Sequence, residues 1–134
     1  MQRLQPPGWP EPRGYANGIA AEGRLVFVAG QIGWDMSGAF PASDLAGQVR
    51  QTLENVVAVV AEAGGRPEHV ARMTWYLVDR AEYLDNLRAI GTAYRDVMGR
   101  HFPAMAVVEV AGLLEPEAKV EIEAVAVLPP GPSS

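Results

Sequence analysis

The apolar residues of this chain repeat at two different spacings, and these spacings divide it into predicted helices and strands. From position 45 to 60 they recur every three or four residues, which is the spacing of one face of an α-helix. These residues are Leu45, Val49, Leu53, Val56, Val57 and Val60. Ser43 is the predicted N-cap, with Asp44 in the first turn, where a negative charge is favourable. Gly64-Gly65 ends the helix, because glycine accepts the left-handed conformation at a helix C-terminus.

A second helix is predicted after Asp79, which is followed at the third position by Glu82 in a pattern typical of a capping box. Its predicted apolar face is Tyr83, Leu84, Leu87, Gly91, Tyr94 and Met98, and Gly99 ends it. Runs rich in β-branched and aromatic residues predict strands at 15–20, 24–29, 73–78, 104–110 and 119–127. Because Glu22-Gly23 is a turn signal, we expect the first two strands to form a hairpin.

The elements follow one another in the order β-β-α-β-α-β-β, without repeats or an internal linker. This order predicts a single α+β domain with two helices packed on one face of a mixed sheet. The last strand carries apolar residues in both alternating sets of positions, with Val120 and Ile122 in one set and Val125 in the other. Since two helices cover only one face, we expect the other face to contact a second subunit, and the protein to be an oligomer.

The length of 134 residues fits one domain with a core of its own. We expect residues 1–134 to form this domain, with a Pro- and Gly-rich extended arm at 1–13 and a flexible tail at 129–134. No apolar run reaches the roughly 18 to 20 residues that span a bilayer, and the first residues lack the apolar segment of a signal peptide. These features predict a cytoplasmic protein that does not bind membranes.

Composition excludes several kinds of chemistry. The chain has no cysteine, which rules out disulfides, thiol nucleophiles and thiolate metal sites. Its net charge is −5 and its arginines are scattered, which argues against binding nucleic acid through phosphates. Two distant histidines do not make a metal site, and we expect neither metal nor cofactor. Lys119 is the only candidate for Schiff-base chemistry, but its position at a strand entrance favours a solvated side chain.

Glu121 is the most informative charged residue, since it lies between Val120 and Ile122 in a strand that we expect to be half-buried. Burying a carboxylate is costly unless it is paired or hydrogen-bonded, and burial raises its pKa. Glu121 is therefore either a structural residue of the sheet or a tuned acid/base group. Glu123 has the same side-chain direction and is the alternative candidate.

Several short segments occur in an order that is typical of one known family. They are Gly14-Tyr15-Ala16-Asn17-Gly18, Val26–Ile32, Gln51–Val56, Ala63-Gly64-Gly65, Pro103-Ala104, Val108–Leu113 and Val120–Ala126. Together they cover about residues 14–128, and in them the chain resembles the YjgF/RidA family, small trimeric proteins that hydrolyse reactive enamines and imines. The resemblance implies a chorismate-mutase-like fold and a homotrimer packed sheet to sheet in a barrel. It also implies three clefts between subunits that bind a small-molecule substrate or metabolite.

The resemblance also implies roles for particular residues. Glu121 matches the family glutamate that positions the attacking water, and the cleft is further formed by Tyr15, Gly30, Gln31 and Val107. Tyr15 either contacts the substrate or packs as an aromatic residue at the subunit interface. Gln31 either contacts the substrate or bonds the backbone of its own loop.

Two positions depart from the family pattern. Active members carry an arginine directly after Pro-Ala that pairs with the substrate carboxylate, and here this residue is Met105; a serine before Gly-Gln is here Ala29. Methionine cannot replace the bidentate, charge-assisted contact of arginine. Arg88 on the second helix and His101 before Phe102 are the candidate replacements, each with a solvated or capping side chain as the alternative.

The resemblance favours a RidA-like deaminase, a hydrolase of a reactive enamine or imine. Because Met105 and Ala29 make the cleft more apolar, its specificity would shift, for example towards an aminomuconate. The alternative is a non-catalytic trimer that binds a small metabolite as a sensor or scavenger. The ribonuclease activity attributed to some family members is disfavoured, because a net charge of −5 opposes RNA binding.

Overall fold

Helices and a four-stranded sheet form two layers in a computed structural model that describes residues 1–130. The strands are β1 (Gln2–Leu4), β2 (Gly18–Ala20), β3 (Arg24–Gln31), β4 (Val70–Leu77), β5 (Ala104–Glu109) and β6 (Val120–Leu128). The helices are α1 (Leu45–Glu62), α2 (Arg80–Asp85) and α3 (Leu87–Met98), and a short 3₁₀ helix spans Pro67–His69. Positions 131–134 of the predicted tail lie outside the described residues.

The main sheet has the strand order β3-β6-β4-β5. Strands β4 and β5 are parallel, while β6 pairs antiparallel with both β3 and β4. Helices α1 and α3 pack on one face, over a core whose largest fully buried side chains include Trp75, Leu53 and Met73. The predicted α+β fold, with helices on one face of a mixed sheet, is confirmed.

Helix α1 forms where the apolar spacing predicts it, but its first residue differs from the prediction. The cap is Asp44 rather than Ser43, and the Asp44 carboxylate accepts a hydrogen bond of 3.0 Å from the backbone N–H of Gly47. At the other end Gly64 has a φ of +84°, the left-handed conformation expected after a helix C-terminus.

The predicted second helix is two helices, because Asn86 interrupts it. Asp79 caps α2 as predicted, accepting from the backbone N–H of Glu82 at 3.2 Å. The Asn86 side chain donates to the carbonyl of Glu82 at 2.7 Å, so it competes with helix continuation, and α3 begins at the next residue. The predicted apolar face is only partly buried: Tyr94 and Met98 are in the core, whereas Leu84 and Leu87 are exposed in the single chain.

The predicted hairpin over residues 15–29 does not form. Strand β2 pairs antiparallel with β1 inside the predicted arm, in the register Gln2↔Ala20 and Leu4↔Gly18. Strand β3 pairs instead with β6, far away in sequence. The turn signal near Gly23 is real, since this glycine has a φ of +150°, but a Cβ there would stand 1.8 Å from the carbonyl oxygen of Leu128. The backbone at Gly23 therefore packs closely against Leu128 at the end of β6, and this turn does not connect two paired strands.

The sheet face opposite the helices is left uncovered by the described residues. Phe27 of β3 is 73% exposed and Leu25 is 59% exposed, although both are large apolar side chains in a regular strand. Phe27 lies beside Val125 of β6, which in turn lies beside Arg72 of β4. A sheet face with such side chains is typical of a surface that contacts another subunit.

Candidate functional site

Glu121 and Glu123 both project from the open face of the sheet. In the register of β4 and β6, Tyr76 lies opposite Glu121 and Thr74 lies opposite Glu123. The Tyr76 hydroxyl donates a 2.5 Å hydrogen bond to Glu123, and this bond raises the pKa of Tyr76. Among the described residues, none donates a hydrogen bond to the carboxylate of half-buried Glu121. The two carboxylates thus differ: Glu123 is hydrogen-bonded to Tyr76, whereas Glu121 is free to contact a ligand or water.

A bulge in β3 forms the support beneath the Glu121 carboxylate. Val28 pairs with Ala124 and Gln31 pairs with Ile122, so three steps along β3 face two steps along β6. Such bulges re-aim a strand and are common beside functional sites. The carboxylate lies directly over Gly30, where an added Cβ would stand 2.7 Å from Oε2 of Glu121. Only a glycine leaves the carboxylate in this position.

Side-chain hydrogen bonds hold the bulge and the loop that follows it. Gln31 donates through Nε2 to the carbonyl of Ala29 at 3.0 Å, which is the backbone contact considered as one of its two alternatives. Asn55 of α1 donates through Nδ2 to the carbonyls of Ile32 and Trp34, each at 2.9 Å. Helix α1 therefore fixes the path of the chain just after Gly30.

The start of β6 is held by a buried side chain that sequence reasoning missed. Gln48 is 1% exposed, accepts from the backbone N–H of Lys119 at 2.8 Å and donates to the carbonyl of Glu117 at 2.9 Å. The helical spacing could have indicated that Gln48 is buried, since it lies on the same face of α1 as Leu45 and Thr52. The Lys119 side chain is partly solvated, at 35% exposure, and its Nζ also forms a 2.8 Å salt bridge with Glu82.

Met105 lies on the helix side of β5 and lines a second feature, a cleft of about 300 Å³ that we call the Met105 cleft. Its walls are mostly apolar and aromatic and include Trp75, Tyr83, Tyr94 and Phe102. The rings of Tyr94 and Phe102 stack with centroids 5.3 Å apart and an interplanar angle of 8°. Burial raises the pKa of Tyr94, whose hydroxyl donates to the carbonyl of His101.

Tyr15 and Val107 lie in the neighbourhood of the same cleft. The backbone N–H of Ala16 donates to the carbonyl of Pro103 at 2.9 Å, which places Gly14 and Tyr15 beside the first residues of β5. Val107 pairs with Trp75, a residue of the cleft wall, and packs against the core. Tyr15 itself is 39% exposed.

The two candidate cations named from the sequence do not line the Met105 cleft. Arg88 lies in a different groove, between α1 and α3, which Asp44 and Asp85 also line. His101 is bound to the backbone: its Nε2 lies 2.6 Å from the carbonyl oxygen of Val70, which makes this nitrogen the donor. The arginines that do line the cleft are Arg13 and Arg95, which sequence reasoning did not single out.

Within one chain the candidate residues therefore form two separate groups. The first, which we call the carboxylate half, consists of Ala29, Gly30, Gln31 and Glu121 at the bulge and on the open face. The second, the cleft half, consists of Met105 and Val107 on the helix side of the opposite edge strand, with Tyr15 beside the first residues of that strand. The Glu121 and Met105 side chains thus lie on opposite faces of the sheet, with β4 between their strands.

Other kinds of site find no support in residues 1–130. No group of three or more His, Asp or Glu side chains in this range is arranged to hold a metal ion. None of the helices in the same range is long and apolar enough to cross a membrane.

Comparison with known proteins gives a consistent result. Residues 10–128 match the family model described as Endoribonuclease L-PSP. The 2-iminobutanoate/2-iminopropanoate deaminase of Salmonella typhimurium is 35% identical over 116 residues, which are 84% of this chain and 86% of the deaminase.

Solved structures agree with this match. The Rid-family protein YyfB of Yersinia pestis superposes with a TM-score of 0.83 at 30% identity, covering 95% of this chain and 98% of that protein. TdcF of Escherichia coli, solved with bound serine, gives a TM-score of 0.67 at 32% identity and covers 96% and 99% of the two chains.

Proposed function

This chain belongs to the YjgF/RidA family, and from that premise we propose that it hydrolyses a reactive imine or enamine to a carbonyl compound and ammonia. The observation that carries the proposal is the Glu121 carboxylate, which lies over the Gly30 bulge and accepts no hydrogen bond from the described residues. A positioned carboxylate that is free to accept a proton is what a general base requires.

The proposed reaction needs only water and proton transfers. Glu121 takes a proton from a water molecule, whose oxygen attacks the imine carbon of the substrate, and the nitrogen gains a proton. The carbinolamine then collapses: the C–N bond breaks, ammonia leaves, and the oxygen keeps its carbon as a carbonyl. In the addition step Glu121 passes the proton of the attacking water to the nitrogen. In the collapse it takes the hydroxyl proton of the carbinolamine and gives it to the leaving nitrogen, so that the enzyme ends unchanged.

We propose that the working site lies between subunits of a homotrimer, as the family resemblance implies. Two features support this arrangement. The carboxylate half and the cleft half lie apart in one chain, so each needs a partner to supply the other. The exposed apolar side chains of the open face, Phe27 above all, need cover from a second copy.

Met105 is the basis for proposing an altered specificity. The side chain is partly buried against the core on the helix side of β5, where it presents a thioether and no charge. A substrate carboxylate receives no charge-assisted contact from Met105 itself, and a small apolar group leaves much of the aromatic cleft unfilled. We therefore propose weak activity on small imino acids such as 2-iminopropionate, and better activity on a larger or more apolar substrate.

Turnover assays with two substrates test this proposal. Ammonia release is followed for 2-iminopropionate generated in situ and for 2-aminomuconate, with the wild type beside Met105→Arg. We expect the variant to gain activity on 2-iminopropionate, because the guanidinium restores a carboxylate contact. The specificity proposal would be contradicted if the wild type hydrolyses 2-iminopropionate rapidly and Met105→Arg does so at the same rate. If the protein hydrolyses neither substrate, a metabolite-binding trimer would be favoured.

The description of the matching family model as an endoribonuclease does not lead us to propose RNA cleavage. A chain with net charge −5 and scattered arginines offers no basic stripe for a phosphate backbone. His101 is engaged with the backbone carbonyl of Val70.

A further inference from the structure

The Met105 cleft is lined by positively charged side chains, although the position of the family arginine is a methionine. Arg13 and Arg95 both line it, and none of its lining residues is acidic. Neither guanidinium forms a salt bridge or donates a hydrogen bond to a residue in the described range 1–130. Arg50 differs in this respect, because it is paired with Asp96 at 2.8 Å. Two uncompensated cations at one cleft, in a chain of net charge −5, favour an anionic ligand.

Arg95 reaches the cleft by running back along α3, past the turn that contains Gly91. Its Nη1 lies 3.4 Å from the position that a Cβ on Gly91 would take, so the guanidinium folds back over the surface of α3. In α3 the spacing of four residues puts Gly91 and Arg95 on one face of the helix. In this conformation Arg95 lines the cleft while remaining exposed to solvent.

A buried polar group in the cleft wall also lacks a partner. Trp75 is 2% exposed, and its Nε1–H is buried without a hydrogen-bond partner among the described residues. A buried donor without a partner costs free energy, and such a group calls for an explanation. Because Trp75 lines the cleft, an oxygen of a bound ligand is one group that can accept this hydrogen.

We infer that Arg13 and Arg95 bind the carboxylate of a 2-imino acid with an aromatic side chain, in place of the arginine that Met105 replaces. This inference rests on the proposed function. The aromatic group enters the cleft, whose walls include Trp75 and Phe102 and whose volume of about 300 Å³ is at the lower end of the range for small-molecule sites. The carboxylate stays with the arginines, and the imine carbon next to it faces the Glu121 carboxylate of a partner subunit.

Calorimetric titration of the protein tests this inference without requiring turnover. The probe is phenylpyruvate, a stable 2-oxo analogue of an aromatic imino acid, compared with pyruvate and with phenylacetone, which lacks the carboxylate. We expect phenylpyruvate to bind more tightly than either. We also expect Arg13→Gln and Arg95→Gln each to raise its Kd about 10- to 100-fold, because each removes a charge-assisted contact.

Two matched controls separate this account from others. Arg66→Gln, at a solvent-exposed ion pair with Glu68, is expected to leave binding unchanged. Arg88→Gln tests Arg88, which the sequence offered as a substitute for the family arginine. If phenylpyruvate binds more weakly to Arg88→Gln but not to Arg95→Gln, the inference is overturned. The indole N–H resonance of Trp75, assigned with Trp75→Phe, is expected to shift on binding.

The possible failures are distinguishable. If 2-iminopropionate is hydrolysed but phenylpyruvate does not bind, the inference is wrong and the proposed hydrolase function stands. If phenylpyruvate binds through Arg13 and Arg95 but no imine is hydrolysed, the hydrolase proposal fails and the cleft is a binding site. Equal binding of phenylpyruvate and phenylacetone would also overturn the inference, since the arginines would then contribute nothing.

Discussion

Replacing Gly30 with alanine should reduce activity while leaving the fold intact. A Cβ at this position would stand 2.7 Å from Oε2 and 2.8 Å from Cδ of Glu121. An ordinary contact begins near 3.4 Å, so the carboxylate must move by about 0.7 Å (3.4 − 2.7) to make room. The group that moves is the end of a flexible side chain, and the backbone of the bulge can stay in place.

The expected size of the effect follows from this displacement. A misplacement of about 1 Å at a catalytic group can cost on the order of 100-fold in rate, so we expect kcat to fall by about 10- to 100-fold. Because a flexible side chain yields easily, we expect the free energy of unfolding to change by no more than about 1 kcal/mol.

The assay compares ammonia release and urea unfolding for the wild type, Gly30→Ala and Gly112→Ala. Gly112 is the matched control, because an added Cβ there meets no atom within 4 Å. It should leave both measurements unchanged. If Gly30→Ala retains full activity, the position of the Glu121 carboxylate over the bulge does not matter for the reaction. If both activity and stability collapse, the glycine is needed for the backbone and the reasoning from the side chain is refuted.

Two other predictions concern the supports of the site. Gln48→Leu should lower the free energy of unfolding by about 1–3 kcal/mol in urea titrations, because it leaves the backbone groups of Glu117 and Lys119 without partners, whereas Gln2→Leu on the surface should not. The Asp35 carboxylate accepts hydrogen bonds from Ser37 and from the backbone N–H of Ala39, and these hold the pKa of Asp35 below its usual value of 3.8. A lowered pKa means that the turn is stabilised above the usual aspartate range and loosens as pH falls through the lowered pKa. The protection factor of the Ala39 amide, which is its exchange corrected for the intrinsic pH dependence, should therefore fall at low pH in the wild type and lose this dependence in Asp35→Asn; a pH-independent protection factor in the wild type would contradict the assignment.

Local patterns were sufficient to predict the elements with strong periodicity. The apolar positions of α1, from Leu45 to Val60, predicted its length and its buried face, and the C-terminal glycines predicted its end. The choice between Ser43 and Asp44 as cap was wrong because both residue types are good caps, and only the backbone geometry decides between neighbours.

The pairing of strands that are distant in sequence could not be predicted from local patterns. Gly18–Ala20 has the composition of a strand, but nothing in its sequence identifies β1, embedded in a Pro-rich arm, as its partner. The break at Asn86 depends on one side-chain hydrogen bond to Glu82, which competes with a helical pattern that is otherwise continuous.

The arginines of the site illustrate the same limit. Arg88 and Arg95 are seven residues apart and share nearly the same direction on α3, yet one side chain lies towards α1 and the other towards the Met105 cleft. Helical spacing predicts the direction of the Cα–Cβ bond, but the path of a long side chain depends on its neighbours. The Arg95 side chain runs back over Gly91, where its Nη1 lies 3.4 Å from the position that a Cβ would take.

The central claim is that Glu121, and not Glu123, is the general base of an imine hydrolase. Its most direct test is the rate of imine hydrolysis by Glu121→Gln beside Glu123→Gln, with unfolding curves to verify that both variants fold. The account predicts that Glu121→Gln loses most of kcat, by at least about 100-fold. Glu123→Gln should keep most of its activity, because Glu123 is already engaged by Tyr76 at 2.5 Å. Retention of activity in Glu121→Gln, or a larger loss in Glu123→Gln, would contradict the account.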